Sequence, residues 1–352
     1  MREIPPINRR NLAIVVINLL FLASCRTGGA TVSPLSSALT TQATGLPTRI
    51  VITVPPPTTI PENQVRGTVV SQHPSLSQIG GKVAYATNAS GVFEIGILDM
   101  NSGKSQILTS SPNPGDAEPF WSVDGKHIVF NSGRSGNNDL EVYMMNYDGT
   151  NQHPVTVQKG KGGNFSPALS PDGTRVLYQS NRDGNMEVYI ANVNGSDEHN
   201  LTNNPSNDIT PAWSPDGSHV IFASDRSGSF EIYTMNPDGS DVKPFYSRKG
   251  YVLIRPRYSP DGKMILFGIQ VFGSLDYNLA VVNADGSELH MVTSGHGQYT
   301  QAAWVGDDKI IYSGRQSDGE RWQLYVVGLD GSNPVQVTSG NADYRDPYWV
   351  GE

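Results

Sequence analysis

The sequence contains a single cysteine, no long runs of helix-forming residues and no excess of positive charge. One cysteine cannot form a disulfide within the chain. Long runs of Ala, Leu, Glu and Lys are missing, whereas Gly (37) and Pro (24) are frequent, and this composition is unfavourable for helices. The formal net charge of -8 provides no basic surface of the kind that binds nucleic acid. We therefore expect an all-β protein without a nucleic-acid partner.

Residues 1–25 have the pattern of an export signal. Arg2, Arg9 and Arg10 precede the apolar stretch "LAIVVINLLFLA", which is too short for a comfortable membrane span. The stretch ends in "LASC", which resembles a bacterial lipoprotein box, and this resemblance implies lipidation of Cys25 and attachment to the periplasmic or extracellular face of a membrane. The alternative is that Cys25 is only a small residue at a cleavage site. The export route, Sec or twin-arginine, stays open.

Residues 26–77 are rich in Ser, Thr, Pro and Gly, with "VPPPTTIPEN" at the centre. Such a segment buries too little apolar surface to offset its chain entropy. We expect it to form a flexible tether with polyproline character, which joins the export signal to the remainder of the chain.

Residues 78–352 repeat one unit. The segments "FWSVDGKHIVFNSGRSG", "ALSPDGTRVLYQSNRDG" and "AWSPDGSHVIFASDRSG" share one pattern. Successive turn aspartates are 48, 44, 45 and 46 residues apart, a period typical of four-stranded propeller blades. These aspartates are Asp124, Asp172, Asp216, Asp261 and Asp307.

Each unit is interpreted as four antiparallel strands, a to d. An aromatic residue lies near the end of strand a, and "SPDG" or "SVDG" then turns the chain back, with Gly in the left-handed position. Strand b is a run such as "HIVFNS", strand c is a run such as "EVYMM", and an Asn-x-Asp-Gly turn leads to a short strand d, "LT" or "VT". The aromatic residues of strand a are Trp121, Trp213, Tyr258, Trp304 and Trp349.

These repeats resemble the WD40-like repeats of TolB-type β-propellers over residues 78–352. The resemblance implies an all-β fold, a six-bladed β-propeller of four-stranded blades. Propellers of this type serve as binding modules, companions of enzymes and surface proteins, so the fold does not specify one function. In TolB proteins an N-terminal α/β domain precedes the propeller, whereas this chain has the Ser/Thr/Pro-rich tether there. The fold and a general binding role are therefore carried over, without a named partner.

The first repeat lacks its strand a. Strands b, c and d are recognised in "GKVAYATN", "FEIGILDM" and "SQILTSS", but no P-x-W-S-P-D-G pattern precedes Gly80. The C-terminal "DPYWV" aligns with "TPAWS", so that Pro347 and Trp349 are in register with Pro211 and Trp213. We expect this last segment to supply strand a of the first blade and to close the ring, because an unpaired strand edge is a liability.

Signals for catalysis and metal binding are weak. No G-x-S-x-G occurs, and the seven histidines show neither H-x-H nor H-E-x-x-H spacing. "NRDGNME" lacks the acidic ligands of a calcium loop, so its Asp and Gly are interpreted as turn residues. We expect no enzyme, no cofactor and no metal site. A lyase or hydrolase in the central channel is the alternative, and it would require charged or histidine residues that point inward from several blades.

Residues that recur in most blades, such as Arg134, Arg182 and Arg226, are interpreted as structural, because recurrence at equivalent positions suits hydrogen bonding within each blade. A unique binding site is therefore expected where the repeat is broken. Three departures, "VQKGKGGNF", "SRKGYVLI" and "GIQVFGSLDY", lie in d-to-a or b-to-c connections, which emerge together on the face opposite the Asp-Gly turns. The candidate residues of this face are Lys159, Lys161, Phe165, Arg248, Lys249, Tyr251, Phe272 and Tyr277.

The sequence thus predicts an exported, lipid-anchored and monomeric module that recognises an envelope or extracellular protein, or a glycan, through this face. Aromatic side chains would supply contact area, and the cations would steer an anionic partner toward it. The channel enzyme remains one alternative. The other is a purely structural surface protein whose variable loops bind nothing.

Overall fold

The part of the chain that the structure describes consists of six four-stranded antiparallel sheets. The computed structural model describes residues 79–111, 115–135, 139–157 and 162–351. All regular elements in these ranges are strands, so the prediction of an all-β, six-bladed propeller is confirmed. The predicted export signal with Cys25, the predicted tether, and both Lys159 and Lys161 lie outside the described residues.

The first three blades are bounded as follows, with strands numbered in chain order. Blade 1 contains β1 (Lys82–Thr87), β2 (Glu94–Asp99), β3 (Ser105–Ile107) and the last strand of the chain, β24 (Tyr344–Val350). Blade 2 contains β4 (Asp116–Trp121), β5 (His127–Ser132), β6 (Glu141–Asn146) and β7 (His153–Pro154). Blade 3 contains β8 (Asn164–Leu169), β9 (Arg175–Ser180), β10 (Glu187–Asn192) and β11 (His199–Asn200).

The other three blades follow without interruption. Blade 4 contains β12 (Asp208–Trp213), β13 (Val220–Ser224), β14 (Glu231–Met235) and β15 (Lys243–Tyr246). Blade 5 contains β16 (Tyr251–Tyr258), β17 (Met264–Val271), β18 (Asn278–Asn283) and β19 (His290–Met291). Blade 6 contains β20 (Gln298–Val305), β21 (Lys309–Arg315), β22 (Gln323–Gly328) and β23 (Val335–Gln336).

Blade 1 is assembled from both ends of the propeller sequence. β24 pairs antiparallel with β1, with Trp349 opposite Val83 and Tyr348 opposite Ala84. The indole Nε1 of Trp349 donates a hydrogen bond to the backbone oxygen of Gly80 at 3.0 Å. The ring is therefore closed by the C-terminal strand, as the alignment of "DPYWV" predicts, and the edge of β1 is covered.

The turn face of the propeller carries the a-to-b and c-to-d turns. In the a-to-b turn of blade 4, the Ser214 hydroxyl donates to Asp216 at 2.6 Å, and the backbone N–H of His219 donates to Ser214 Oγ at 2.9 Å. The hydrogen bond from Ser214 lowers the pKa of Asp216 to about 2. Asp124 and Asp261 lie in equivalent turns and accept the same serine hydrogen bond. Asp is therefore used here for turn geometry.

Strand d ends earlier than predicted. In blade 2 it covers His153 and Pro154, and the "VT" pair follows it. Thr156 Oγ1 accepts the backbone N–H of Val142 at 3.0 Å, so that a side chain replaces the next hydrogen bond of the ladder. The same threonine contact recurs in four other blades, from Thr109, Thr202, Thr293 and Thr338.

Each innermost strand, strand a, contains a β-bulge at the same position. The bulge residue has a positive φ of 51° to 57° although it is never glycine. Such a backbone costs about 1–3 kcal/mol and persists only where surrounding contacts hold it. The six bulge residues are Glu118, Ser166, Thr210, Arg255, Gln301 and Asp346.

Opposite the turn face lies the loop face, which carries the b-to-c and d-to-a connections. Blades 2, 3 and 4 are each closed there by a half-buried arginine, which we name the clamp arginine. In blade 4, Arg226 Nε donates to Ser224 Oγ at 2.8 Å, and its Nη2 lies 3.0 Å from the Asp208 carboxylate. The guanidinium also stacks on the rings of Phe222 and Tyr233, at 5.6 and 4.8 Å from the centroids. Arg134 and Arg182 make equivalent contacts.

Candidate functional site

The six bulge residues surround the central channel, and three of them are charged. Arg255 reaches from blade 5 to blade 2, where its Nη1 lies 3.6 Å from Glu118 Oε1. Glu118 Oε2 accepts the backbone N–H of Ser166 at 2.8 Å and the amide of Asn131 at 2.5 Å. Asp346 Oδ2 accepts the backbone N–H of Glu118 at 3.2 Å. The channel charges are thus engaged with one another and with the bulged backbone.

Burial and the charge of Glu118 raise the pKa of Asp346 to about 6. Toward the turn face the channel is filled by Phe120 and Tyr348, whose ring centroids lie 4.2 Å apart, and by Arg257, which stacks on both rings. None of the six innermost strands carries a histidine. Within the described ranges no three His, Cys, Asp or Glu residues are grouped as for a metal ion. The two carboxyl groups of the described channel, those of Glu118 and Asp346, are therefore both held in one network of hydrogen bonds and an ion pair.

Blade 5 lacks the clamp arginine. Aligned with blade 4, it has Val271 in place of Arg226, and Ala280 in place of the ring of Tyr233. Neither the guanidinium nor the ring therefore fills the loop-face end of blade 5. A cleft of about 420 Å³ lies at this place, and we name it the blade-5 cleft.

The blade-5 cleft has an apolar floor and side and a mixed polar rim. It is lined by Arg248, Tyr251, Ile269, Val271, Ser274, Asp276, Asn278, Met291, Ser294, Gly295 and His296. The residues come from the d-to-a link before blade 5, from all four strands and the b-to-c loop of that blade, and from the link to blade 6. A volume of this size lies at the lower end of the range for ligand pockets.

The charged side chain of the blade-5 cleft that has no ion-pair partner among the described residues is positive. The guanidinium of Arg248 stacks 4.7 Å above the ring centroid of Tyr251, and neither Arg248 nor the adjacent Lys249 forms an ion pair with a described residue. The carboxylate of Asp276 is already engaged, since it accepts the backbone N–H of Gly297 at 3.0 Å and lies 3.0 Å from His296 Nδ1. The hydrogen bonds from Gly297 and His296 hold the pKa of Asp276 below its usual value.

Exposed apolar side chains are concentrated beside the cleft. Of the eight large hydrophobic side chains exposed in the described part of the chain, four belong to blade 5. Val271 and Met291 line the cleft and are 52% and 42% exposed. Phe272 and Leu275 lie in the adjoining b-to-c loop. Such a patch is typical of interaction surfaces, whereas scattered exposed hydrophobics are not.

Tyr277, predicted to belong to the exposed face, is buried, with 4% exposure. Its ring packs over Gly268, where a Cβ atom would lie 2.4 Å from the ring. Its backbone N–H donates to Gly297 at 2.9 Å, and its carbonyl accepts from Tyr299 at 2.8 Å. The prediction that Tyr277 belongs to the exposed face is therefore wrong. Its backbone hydrogen bonds instead join the b-to-c loop of blade 5 to blade 6.

The remaining candidates are distributed over two blades. Arg248 and Tyr251 line the blade-5 cleft, with Lys249 between them in the chain, and Phe272 belongs to the adjoining loop. Phe165 is half-buried in β8 of blade 3, separated from the cleft by blade 4. For Lys159 and Lys161, which lie outside the described residues, the position on this face stays a prediction.

Sequence reasoning missed several lining residues. Met291, Asp276 and His296 come from three separate segments and carry no motif. Local signals existed for two of them: Asp276 lies within the departure "GIQVFGSLDY", and the "GHG" tripeptide places His296 between two glycines of positive φ.

The fold and the cleft define a closed six-bladed propeller of Asp-Gly-turn repeats with an open site on the loop face of one blade. The chain belongs to the TolB beta propeller domain family, whose model matches residues 150–351. The Tol-Pal system protein TolB of Francisella tularensis subsp. tularensis (strain WY96-3418) is 28% identical over 231 residues, which are 65% of this chain and 52% of that protein. The chain spans about a quarter to about half of the length of the curated relatives it matches.

Solved structures show the same fold. TolB from Acinetobacter baumannii superposes with a TM-score of 0.66 at 24% identity, covering 77% of this chain and 67% of that one. An oligogalacturonate lyase from Vibrio parahaemolyticus superposes with a TM-score of 0.53 at 15% identity, covering 74% of each chain. Since an enzyme shares the fold, the fold does not decide the function. Among the described residues no helix has the length and apolarity to span a bilayer.

Proposed function

We propose that the protein is an extracytoplasmic binding module, held at a membrane through lipidated Cys25, which binds a protein of the cell envelope through the blade-5 cleft. The observation that carries the proposal is the coincidence of three features at one place: a broken repeat, an open cleft and the concentration of exposed apolar side chains. A relative named as a Tol-Pal system protein supports an envelope partner in general, without naming one.

Burial of the exposed apolar side chains by a partner would provide the favourable free energy. Full transfer of a large apolar side chain from water to a buried position is worth about 1.5–3 kcal/mol, so Met291 or Phe272, each already about half covered, gains about half of that. The chain carries a net charge of -8 overall, whereas Arg248 and Lys249 make the rim locally positive. This contrast favours one orientation of an approaching partner.

The chain enters the propeller on the face opposite the blade-5 cleft. β1 begins at the turn face, beside Gly80 and the end of β24, whereas the blade-5 cleft lies on the loop face. A tether over residues 26–77 therefore joins the propeller on the side opposite the cleft. Lipid attachment through this tether leaves the cleft free to meet a partner.

The test is photo-crosslinking in the producing cells from the full chain. A photoreactive amino acid replaces Leu275 beside the cleft or, as matched control, Val123 on the turn face; both side chains are 72% exposed. We expect position 275 to crosslink one envelope protein reproducibly and position 123 not to do so. Equal yields of the same product from both positions, or no product from position 275, would contradict the proposal.

The geometry supports a channel enzyme less well than a binding module. The lyase above shares only the fold with this chain. The charged channel residues that such an enzyme would use are engaged in the Arg255–Glu118 network.

A further inference from the structure

We propose that the blade-5 cleft binds a short acidic segment of its partner, with a carboxylate on Arg248 and one large apolar side chain against Val271 and Met291. This inference rests on the proposed function and specifies the chemistry of the partner. It is carried by the guanidinium without an ion-pair partner, the hydrogen-bonded carboxylate of Asp276 and the apolar wall, which all line the same cleft.

The charge of the partner segment follows from which groups are already satisfied. Asp276 is the acidic residue of the lining, and both of its oxygens are engaged, by His296 and by the backbone of Gly297. Arg248 contacts the ring of Tyr251, which leaves its N–H groups free to donate to a carboxylate. A guanidinium presents parallel donors that suit a carboxylate in a bidentate pair. A basic segment would meet Arg248 and Lys249 with like charge.

The apolar wall decides between a peptide and a glycan. Ile269 forms part of the floor, and Val271 and Met291 stand exposed above it. A sulfated or carboxylated glycan could pair with Arg248, but it would leave these side chains in water. A peptide with an acidic residue next to an aromatic or aliphatic one can pair with Arg248 and also cover Val271 and Met291. The cleft volume of about 420 Å³ suits a few side chains and not a folded domain.

The experiment titrates the full chain into short fluorescein-labelled peptides and follows fluorescence anisotropy. The first peptide combines Asp and Glu with Phe and Leu. The second replaces the acidic residues by Lys, and the third replaces the apolar residues by Ser. A labelled heparin-derived oligosaccharide is the glycan probe. We expect binding of the first peptide, weakened by added salt, and much weaker binding of the other three probes.

Two matched pairs of variants locate the site. Arg248→Gln is compared with Arg175→Gln, since both guanidinium groups stack on an aromatic ring, at 4.7 and 4.9 Å, but on opposite faces of the propeller. Met291→Ser is compared with Val123→Ser. We expect Arg248→Gln to weaken the first peptide about tenfold and Met291→Ser several-fold, and both controls to leave its affinity unchanged.

Three results would overturn the inference: no binding of the acidic apolar peptide, equal affinity in Arg248→Gln and Arg175→Gln, or preferential binding of the Lys peptide or the oligosaccharide. Its failure is distinguishable from that of the proposed function. Crosslinking of an envelope protein from position 275, without binding of the acidic peptide, would retain the binding module and reject only the acidic segment.

Discussion

The charged bulge residues of the channel destabilise the fold locally in two ways, through their backbone conformation and through their charge. Glu118, Arg255 and Asp346 adopt a positive φ that side-chain-bearing residues avoid, and they bring charge into a confined space. Each is compensated by a neighbour in the ring: Arg255 pairs with Glu118 across the channel, and the backbone N–H of Glu118 donates to Asp346. The stability of these residues therefore depends on closure of the whole ring.

We expect Asp346→Asn to stabilise the protein at neutral and alkaline pH. The folded-state pKa of Asp346, about 6, lies above the ordinary value of 3.8, so the folded state holds the proton more tightly than the unfolded state. The carboxyl group of Asp346 therefore does not lower the free energy of unfolding below about pH 4. It lowers this free energy progressively as the pH rises from about 4 to about 6. The full penalty above that range is on the order of 3 kcal/mol. Asparagine keeps an acceptor for the N–H of Glu118.

The measurement compares urea unfolding of Asp346→Asn and wild type near pH 4 and near pH 8. The variant should be more stable by about 3 kcal/mol near pH 8 and similar to wild type near pH 4. A difference that is independent of pH would show that Asp346 keeps its ordinary pKa in the fold.

At the scale of single elements, local signals predicted most strands. Strand b runs such as "HIVFNS" became β5, and the Asp-Gly turns follow strand a in blades 2 to 5, because turn chemistry and β-branched runs act over a few residues. The bulges were not predicted, since no local motif places Glu118 or Arg255 in a left-handed backbone. The threonine that ends strand d also required knowledge of its partner in strand c.

In the b-to-c loop of blade 5, the orientation of the side chains also depends on tertiary contacts that the sequence does not show. The sequence marked "GIQVFGSLDY" as a departure and so identified the right blade, but it could not show which side chains point outward. Tyr277 is buried because Gly268 on the neighbouring strand leaves room for its ring, and that pairing is a tertiary fact. Asp276, Met291 and His296 meet only when three segments are folded together.

We expect Gly268→Ala to destabilise the protein by about 1–3 kcal/mol, because the added methyl group overlaps the ring of Tyr277. Gly319→Ala is the matched control, since nothing lies within 4 Å of its Cβ position. Unfolding in urea measures both. A loss of stability as small in Gly268→Ala as in Gly319→Ala would mean that the ring of Tyr277 does not occupy this position.

At the scale of the whole molecule, every feature above depends on one closed ring. The channel network joins β24 of blade 1 to β4 of blade 2, and β4 across the channel to β16 of blade 5. The two faces, and with them the location of the blade-5 cleft, are defined by the meander of each blade. The sequence predicted closure from the alignment of Pro347 and Trp349 with an internal repeat, and the pairing of β24 with β1 confirms it.

The central claim is therefore that the last strand completes blade 1, and thermal unfolding of two deletion variants tests it most directly. One variant ends before residue 344 and lacks β24, and the other lacks the predicted tether, residues 26–77. Without β24, the edge of β1 and the buried rings around Tyr348 are exposed, which costs roughly 5 kcal/mol or more. We expect the midpoint to fall by more than about 10 °C, or cooperative unfolding to disappear, only in the first variant. Equal midpoints for the two variants would contradict the closed ring.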